Sequence, residues 1–221
     1  MIELEFRGER FFFNETPTAK VLVEEVFADN YEVFSKEIPV GPGDVVLDLG
    51  ANEGMFSIMM AKMFPMAAVY SYEPVPRTYF QMVRNIGLNA VTNIRAFNCG
   101  VGKKGQNFGV LNVDRQFSGG SSGKDTLNPE SGIPTAVTLT SLDDIFAENK
   151  ISHCKLLKMD IEGMEYEALY DCGVLPKVEY MVAEFHINQR LEFEGRRVQG
   201  LISWVGNRTK LMHVDVCKMA E

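Results

Sequence analysis

Short apolar runs alternate with helical patterns along most of the chain. The apolar runs predict strands, and several are apolar without interruption, which is typical of strands buried on both faces of a parallel sheet. Helices are predicted between them, where apolar residues recur with a period near 3.6. The predicted strands lie at 45–49, 67–73, 93–99, 136–139, 155–159, 178–186 and 210–217, and the longer helices at 55–64, 76–89 and 196–205. This alternation predicts an α/β fold with a Rossmann-like, doubly wound, mostly parallel sheet and helices on both faces.

Residues 1–40 follow a different pattern and predict an appendage to this core. Apolar positions alternate over 2–13 around Arg7-Gly8-Glu9-Arg10, as in a β-hairpin. Thr16-Pro17 then predicts a helix, with threonine as N-cap and proline at the first helical position. This hairpin and helix either cover the sheet or form part of a lid over a bound cofactor, and the sequence leaves both roles open. Residues 41–221 form the predicted core, so the whole chain 1–221 is predicted to be one domain.

Residues 102–135 interrupt the alternation with a segment rich in glycine, serine and lysine. The stretch Ser118-Gly119-Gly120-Ser121-Ser122-Gly123-Lys124 superficially looks like a phosphate-binding loop, but Asp125 follows the lysine and no buried strand precedes it. We predict a loop excursion with a short strand near 108–113. Long loops in compact domains commonly bind substrate, so residues 115–128 are predicted to become ordered when an acceptor binds.

Composition narrows the classes of partner. The 221 residues carry a net charge of −8, which argues against general affinity for the backbone of a nucleic acid. The four cysteines show no C-x-x-C spacing and are predicted to be reduced, and no apolar run approaches the ~18 residues of a membrane span. The sequence therefore predicts a cytoplasmic protein and argues against a nucleic acid as its partner.

The run Val45-Val46-Leu47-Asp48-Leu49-Gly50-Ala51-Asn52-Glu53-Gly54 passes from a buried strand through a glycine turn into a helix. This geometry brings backbone N–H groups and a helix N-terminus against a ligand. Its two glycines lie four apart and do not match G-x-G-x-x-G. The spacing instead resembles motif I of the Rossmann-like S-adenosylmethionine methyltransferases. The cofactor-binding residues predicted here are Asp48, Gly50, Ala51, Asn52, Gly54 and Phe56.

A second acidic position follows at the spacing expected for a nucleoside. Glu73 ends the next strand 19 positions after Gly54 and precedes Pro74, close to the ~20-residue offset at which a carboxylate reaches a ribose diol. Its two oxygens can accept from two adjacent hydroxyls. Asn98-Cys99-Gly100 ends the following strand, where an adenine ring would rest against backbone and small side chains.

Five segments in order resemble the FkbM-type methyltransferases, which are S-adenosylmethionine-dependent enzymes. The resemblance covers about residues 31–216 and rests most on Lys158-Met159-Asp160-Ile161-Glu162-Gly163-Met164-Glu165. It implies a class I methyltransferase fold and O-methylation of a sugar or natural product. Two departures from the family pattern matter. Glu53 occupies a position that is usually uncharged in the family and is predicted to point to solvent, and the terminal antiparallel hairpin is predicted to be reduced. The matching segments are 46–54, 72–76, 84–89, 140–144 and 157–165.

Three residues at strand ends are candidates for chemistry. The resemblance and the strand-end position place Asp160 near the methionine end of the cofactor, with Glu162 and His186 as candidate bases on the acceptor side. A competing interpretation has Asp160 and Glu162 capping the following helix, with Glu165 completing the cap. Because only the two acids share a strand end, no metal is predicted.

Two other functions remain open from the sequence. Residues 85–89 (Asn-Ile-Gly-Leu-Asn) also resemble tRNA-modifying enzymes, which suggests an RNA methyltransferase, although no Asn-Pro-Pro-Tyr-type motif is present. The third hypothesis is a protein that binds S-adenosylmethionine without catalysis. Such a protein would retain Asp48 and Glu73 but lack an organised acceptor pocket near Glu162.

Overall fold

The computed structural model describes residues 1–28, 33, 38–114 and 132–218. None of the helices in these ranges is long and apolar enough to cross a membrane. The strands are β1 (Ile2–Phe6), β2 (Glu9–Phe13), β3 (Val45–Leu49), β4 (Ala68–Tyr72), β5 (Ile94–Phe97), β6 (Gly100–Val101), β7 (Phe108–Asp114), β8 (Gly132–Thr140), β9 (Cys154–Met159), β10 (Val178–Ile187) and β11 (Lys210–Lys218). The helices are α1 (Ala19–Phe27), α2 (Met55–Met63), α3 (Pro76–Leu88), α4 (Leu142–Glu148), α5 (Glu165–Tyr170), α6 (Gln189–Phe193) and α7 (Val198–Gly206).

The central sheet has six strands in the order β11-β10-β9-β3-β4-β5, and every neighbouring pair is parallel. The chain winds outward from β3 to β5, returns, and winds outward in the other direction from β9 to β11. The order therefore reverses between β3 and β9, and open α/β sheets bind ligands in the crevice at such a point. The predicted doubly wound α/β fold is confirmed.

Both faces of this sheet are covered, which explains the uninterrupted apolar strands. Within β3, Val46 belongs to a core shared with α2 and the N-terminal segment, whereas Leu47 and Leu49 belong to a core shared with α4, α5 and α7. Successive residues of one strand thus enter opposite cores. The sheet is held rigidly between two apolar layers, and its carboxyl edge is a fixed platform.

The excursion at 102–135 contains part of a second, three-stranded sheet in the order β6-β8-β7. The strand predicted near 108–113 is present as β7, and it pairs antiparallel with β8. Because β8 begins at Gly132, the last residues of the predicted loop are strand. Residues 115–131 lie outside the described residues, and with them the segment 115–128 predicted to order around an acceptor.

The N-terminal hairpin is present, and its turn explains its register. Arg7 and Gly8 both have positive φ, at 52° and 84°, as in the two-residue turns that match strand twist. The predicted helix start at Thr16-Pro17 is wrong, because α1 begins at Ala19. The Thr16 hydroxyl oxygen instead accepts a bond from the Ala19 amide at 3.0 Å, which forms a turn before the helix.

The predicted solvent position of Glu53 is also wrong. Its side chain lies in the interior, with only 3% of the residue exposed, and accepts hydrogen bonds from the hydroxyls of Thr16, at 2.8 and 2.9 Å, and Thr18, at 2.9 Å. The two hydroxyls satisfy a carboxyl group that would otherwise be costly to bury. Glu53 therefore ties the N-terminal segment to the glycine turn after β3.

Two asparagines at the C-terminal end of α3, Asn85 in its last turn and the C-cap Asn89, attach the hairpin to the core. The Asn85 side-chain oxygen accepts from the Asn14 amide at 2.9 Å, and its nitrogen donates to the Glu53 carbonyl at 2.8 Å. Asn89 exchanges side-chain bonds with the backbone N–H and carbonyl of Phe12. The motif that suggested a tRNA-modifying enzyme thus holds backbone groups inside the protein.

Candidate active site

A solvent-open cleft lies at the carboxyl ends of β3 and β9, where the strand order reverses. The two strand ends are joined by a bond from the Asp160 amide to the Leu49 carbonyl, at 3.0 Å. Five predicted site residues line the cleft, together with residues that the sequence did not single out. The predicted ones are Gly50, Ala51, Asn52, Phe56 and Asp160, and the others are Leu22, Glu25, Val26, Glu53, Met55 and Lys158.

The turn after β3 requires glycine at two positions. Gly50 has φ of 79°, and a Cβ there would overlap the carbonyl oxygen of Asp160. Gly54 has φ of 87° and starts α2, and its Cβ would lie 2.7 Å from Cγ of Met82. Between them, Asn52 is left-handed at φ 51°, a conformation that asparagine tolerates better than most residues. The bare backbone of this turn faces the cleft.

Asp48 lies beneath the turn and is fully buried. Its Oδ2 accepts from the Ser57 hydroxyl at 2.5 Å, and its Oδ1 lies 3.6 Å from Nζ of Lys158. Burial raises the pKa of Asp48, and the lysine and the hydroxyl oppose that shift. In this position, Asp48 supports the turn and the lysine from below.

Lys158 is a site residue that the sequence analysis missed. Its Nζ donates to the Gly50 carbonyl at 2.9 Å and lies 3.4 Å from Oδ2 of Asp160. The side chain is only 5% exposed, so its charge is shared between Asp48 and Asp160 with little screening by water. The available signal was a lysine in the middle of an apolar strand.

Glu73 holds the same turn from the side of β4. Its Oε2 accepts from the Asn52 amide at 3.0 Å, and its Oε1 from the Val75 amide at 2.8 Å. Burial raises the pKa of Glu73 to about 7, against the lowering effect of these two amides. Each oxygen has a second lone pair, so the carboxylate can still accept from two ribose hydroxyls.

The residues predicted to flank the adenine brace the exit from β4. The Asn98 side-chain nitrogen donates to the carbonyls of Glu73, at 2.9 Å, and Pro74, at 3.0 Å. A Cβ on Gly100 would lie 2.8 Å from Cδ2 of Leu139 and 3.1 Å from Cβ of Pro74. Cys99 between them is partly buried. The structure thus brings Glu73, Pro74 and residues 98–100 together at the ends of β4 and β5.

The three candidate catalytic residues meet at the carboxyl ends of β9 and β10. His186, on β10, is 2% exposed, and its Nδ1 lies 2.9 Å from Oε1 of Glu165. Its Nε2 faces Oε2 of Glu162 at 3.5 Å and Oδ1 of Asp160 at 4.0 Å. Oε1 of Glu184, two residues earlier on β10, lies 3.7 Å from the same nitrogen. Glu165 and Glu184 were not among the predicted site residues.

The acids change the titration of this histidine. Burial alone would lower the pKa of His186, but the hydrogen bond and charge of Glu165, with the charges of Glu162 and Asp160, raise it to about 10. Burial raises the pKa of Glu162, and the negative charges of Asp160 and Glu165 raise it further, while His186 opposes them. Charges at this strand edge are therefore strongly interdependent.

The turn that carries Glu162 is held by Glu165. Glu162 has φ of 54° and Gly163 has φ of 93°, so two successive residues are left-handed. Oε1 of Glu165 accepts from the amides of Ile161 and Gly163, both at 3.2 Å. The N-cap of α5 is Met164, which makes no side-chain capping bond. Of the acids in this segment, Glu165 binds the turn, and Asp160 and Glu162 face His186.

Helix α1 brings another acid to the cleft. Burial raises the pKa of Glu25, and the charge of Asp160 is the next contribution in the same direction. Glu25, Asp160 and Glu184 each offer an oxygen within 4.8 Å of the other two. The N-terminal segment therefore supplies one wall of the cleft, as a lid over a cofactor would.

Comparison with known proteins identifies the family. A model of the methyltransferase FkbM domain matches residues 48–210. The chain is 29% identical over 175 residues to Methyltransferase 1 of Beauveria bassiana (strain ARSEF 2860), covering 69% of this chain and 68% of that protein. It is 27% identical over 198 residues to the 31-O-demethyl-FK506 methyltransferase FkbM of Streptomyces tacrolimicus, covering 76% and 75%.

Among solved structures, the chain is similar to a precorrin-6y C5,15-methyltransferase of Geobacter metallireducens GS-15, with a TM-score of 0.41 and 13% identity, covering 69% of this chain and 60% of that one. The family match spans most of the central sheet and every predicted site residue. The chain therefore belongs to the FkbM methyltransferase family and is an S-adenosylmethionine-dependent methyltransferase.

Proposed function

We propose that the protein methylates a hydroxyl group of a small molecule, a sugar or another natural product. The observation that carries this proposal is the position of Glu162 and His186 beside Asp160, which lines the cleft together with the glycine turn. A hydroxyl acceptor loses a proton when it is methylated, and a carboxylate is a suitable group to take it, whereas His186, with its pKa raised to about 10, already carries a proton and can hold that carboxylate. The name of the Streptomyces relative describes methylation at an oxygen of FK506 by that protein.

The cofactor is proposed to bind along the carboxyl ends of β3, β4 and β9. The glycine turn offers its backbone, Glu73 accepts from the ribose hydroxyls, and Asp160 faces the methionine end. The full proposed set is Asp48, Gly50, Ala51, Asn52, Gly54, Phe56, Glu73, Pro74, Asn98, Cys99, Gly100 and Asp160. When bound, S-adenosylmethionine supplies a methyl group on a positively charged sulfur, which leaves with the electron pair of the broken carbon–sulfur bond.

The acceptor is proposed to lie beside Glu162. Its side chain is 27% exposed, whereas His186 is almost fully enclosed, so a hydroxyl reaches the glutamate first. Oε2 of Glu162 would take the proton, and Nε2 of His186, 3.5 Å away, would hold that carboxylate in place. Glu165 keeps the imidazole oriented through Nδ1. The residues therefore align the acceptor and accept its proton. Alignment alone can lower the activation free energy by about 7–11 kcal/mol.

Several observations favour a small molecule over RNA. The net charge is −8, the acids Glu25 and Asp160 line the cleft, and Glu162 and Glu184 lie close to Asp160. These acids would repel a phosphate backbone. Asn85 and Asn89 are used inside the protein. The four cysteines are free thiols, which supports a reducing, cytoplasmic location.

A panel of sugar and natural-product hydroxyls, assayed with a radiolabelled methyl donor, tests the proposal. With an acceptor found, Glu162→Gln should lower turnover by roughly 10²–10⁴-fold while cofactor affinity stays within a few-fold. Glu148→Gln, on the exposed end of α4, is the matched control and should retain full turnover. Loss of cofactor binding in Glu162→Gln would make the residue a cofactor ligand, and unchanged turnover would show that alignment of the acceptor is enough without a base. Methyl transfer to RNA alone would contradict the proposal.

A further inference from the structure

The cluster around His186 differs from an ordinary acidic patch because an imidazole lies at its centre. Three carboxyl oxygens from three residues face one nitrogen, at 3.5 Å for Glu162, 3.7 Å for Glu184 and 4.0 Å for Asp160. Asp160, Glu162 and His186 each offer a ligand atom within 4.8 Å of the other two. The methyl-transfer proposal gives each of these three residues a separate role, and the short distances between their ligand atoms also allow a shared one.

The spacing of these atoms fits ligands of one metal ion. Two ligand atoms that each lie about 2.1 Å from an ion are about 3.4 Å apart at a tetrahedral angle and about 4.2 Å apart when they are opposite each other. Nε2 lies 3.5 Å from Glu162 and 4.0 Å from Asp160, within this range, and the ligand atoms of these three residues all lie within 4.8 Å of one another. An ion could therefore enter with only small movements of the side chains.

The other face of the histidine is arranged as in known metal sites. A ligating histidine almost always gives its second ring nitrogen to a carboxylate or carbonyl, which fixes the ring and its tautomer. Nδ1 of His186 lies 2.9 Å from Oε1 of the fully buried Glu165, so Nε2 is directed at the three acids. Glu165 is itself fixed by the amides of Ile161 and Gly163.

The sheet also provides a rigid base and an entry path. Glu184 and His186 lie two residues apart near the end of β10 and therefore share one face of the strand. Asp160 and Glu162 follow the neighbouring strand β9, so both pairs lie at the carboxyl edge of the sheet. The side chains of the three acids are 20–27% exposed, whereas His186 is 3% exposed. Water and ions can therefore reach the acids from the cleft.

We propose that Asp160, Glu162 and His186 bind one divalent transition-metal ion, with Glu184 beside His186. The sequence predicted no metal because it showed only two acids at one strand end, and the fold adds His186 from the next strand. One imidazole with carboxylates suits Mn²⁺, Co²⁺ or Zn²⁺, whereas Mg²⁺ prefers oxygen ligands and water. The chemical consequence rests on the proposed function: an ion here would ligate the acceptor hydroxyl and favour loss of its proton.

Metal titration of the full chain tests this inference. After chelator treatment, Mn²⁺ binding is followed by electron paramagnetic resonance and Co²⁺ binding by visible absorption. We expect one ion per chain, with Mg²⁺ at least roughly tenfold weaker. Glu162→Gln should weaken metal binding by about tenfold or more, and Glu165→Gln by roughly 10–100-fold. Glu148→Gln, with an exposed side chain on α4, should bind as the unmodified chain does.

The experiments that can overturn the inference use the unmodified chain, so they do not depend on whether a variant folds. Failure of the unmodified chain to bind one Mn²⁺ or Co²⁺ saturably would end it. Mutually exclusive binding of Mn²⁺ and S-adenosylmethionine would also contradict the proposed metal site, because the acids would then bind the cationic end of the cofactor. Calorimetry of S-adenosylmethionine on the metal-free chain separates the two proposals. Cofactor binding and methyl transfer without metal binding would remove only the metal site.

Discussion

Gly50 and Asp160 touch across the point where the strand order reverses, because a Cβ on the glycine would overlap the carbonyl oxygen of the aspartate. The contact joins the turn after β3 to the end of β9. Lys158, on β9, adds a second link because its Nζ donates to the Gly50 carbonyl. The cofactor turn and the acid cluster are therefore one rigid unit. A change at either residue moves both.

Gly50→Ala should disrupt this unit. The added methyl group meets backbone that cannot yield, so we expect a loss of more than about 3 kcal/mol in the free energy of unfolding. Binding of S-adenosylmethionine should be lost as well. Gly43→Ala is the control, since Gly43 has a similar φ of 81° but open space around it. The control should cost only about 1–2 kcal/mol, from backbone strain. Urea unfolding and calorimetry measure both quantities, and similar losses in the two variants would contradict the contact.

Cofactor affinity should depend on pH through Glu73. Its pKa is raised to about 7 in the free protein, so a proton occupies it increasingly below pH 7. Ribose hydroxyls donate to the ionised form, and binding must then release that proton. Affinity should therefore fall as the pH is lowered through about 7, by up to about tenfold per unit. Glu73→Ala should bind more weakly and without this dependence. A pH profile in Glu73→Ala that parallels the unmodified chain would exclude the ribose role.

Lys158→Met should destabilise the fold strongly. It removes the cation that lies between Asp48 and Asp160 and leaves buried acid without its partner, a change that typically costs about 3–5 kcal/mol. Lys210→Met removes a lysine that is 62% exposed and pairs with Glu179 at 3.6 Å, so it should cost about 1 kcal/mol or less. Chemical denaturation of the two variants provides the comparison. A small effect at Lys158 would show that the acids beside it are satisfied by other groups.

Thr18→Val should loosen the N-terminal segment. The variant keeps the shape but removes the hydroxyl that donates to Oε1 of Glu53, which should cost about 1–3 kcal/mol. Hydrogen exchange should become faster in β1, β2 and α1. Thr135→Val is the control, because that hydroxyl bonds an exposed carbonyl two residues away. Unchanged protection of the first 28 residues in Thr18→Val would mean that the asparagines of α3 hold the segment alone.

The sheet could be predicted because its signal is local. Buried parallel strands are apolar along their whole length, and helices between them have a clear period, so topology followed from their alternation. The errors arose where a distant partner decides the structure. Thr16 reads as a helix cap, but its hydroxyl goes to Glu53, 37 residues later. The predicted helix at 196–205 begins at Val198, and α6 before it has only five residues, too few for a periodic signal.

In the site, too, residues with a local sequence signal could be predicted, and residues whose role depends on distant partners could not. Gly50, Glu73 and Asp160 could be found because their positions follow strand ends at family-like spacings. Glu184 and Glu25 could not be, because their relevance depends on β10 lying beside β9 and on α1 lying over the cleft. Lys158 carried a signal, a charge inside an apolar run, but a lone charge in a strand does not reveal its partners.

The wall that α1 contributes makes the first residues of the chain part of a binding equilibrium. Leu22, Glu25 and Val26 line the cleft, although they precede residue 48, where the family match begins. A cofactor that needs this wall favours the docked arrangement over any in which the segment has come away. At a hundred times its dissociation constant, such a ligand adds about 2.7 kcal/mol to docking. Docking of the segment and binding of the cofactor thus stabilise each other. Opening of the segment should therefore weaken cofactor binding and favour release of the product.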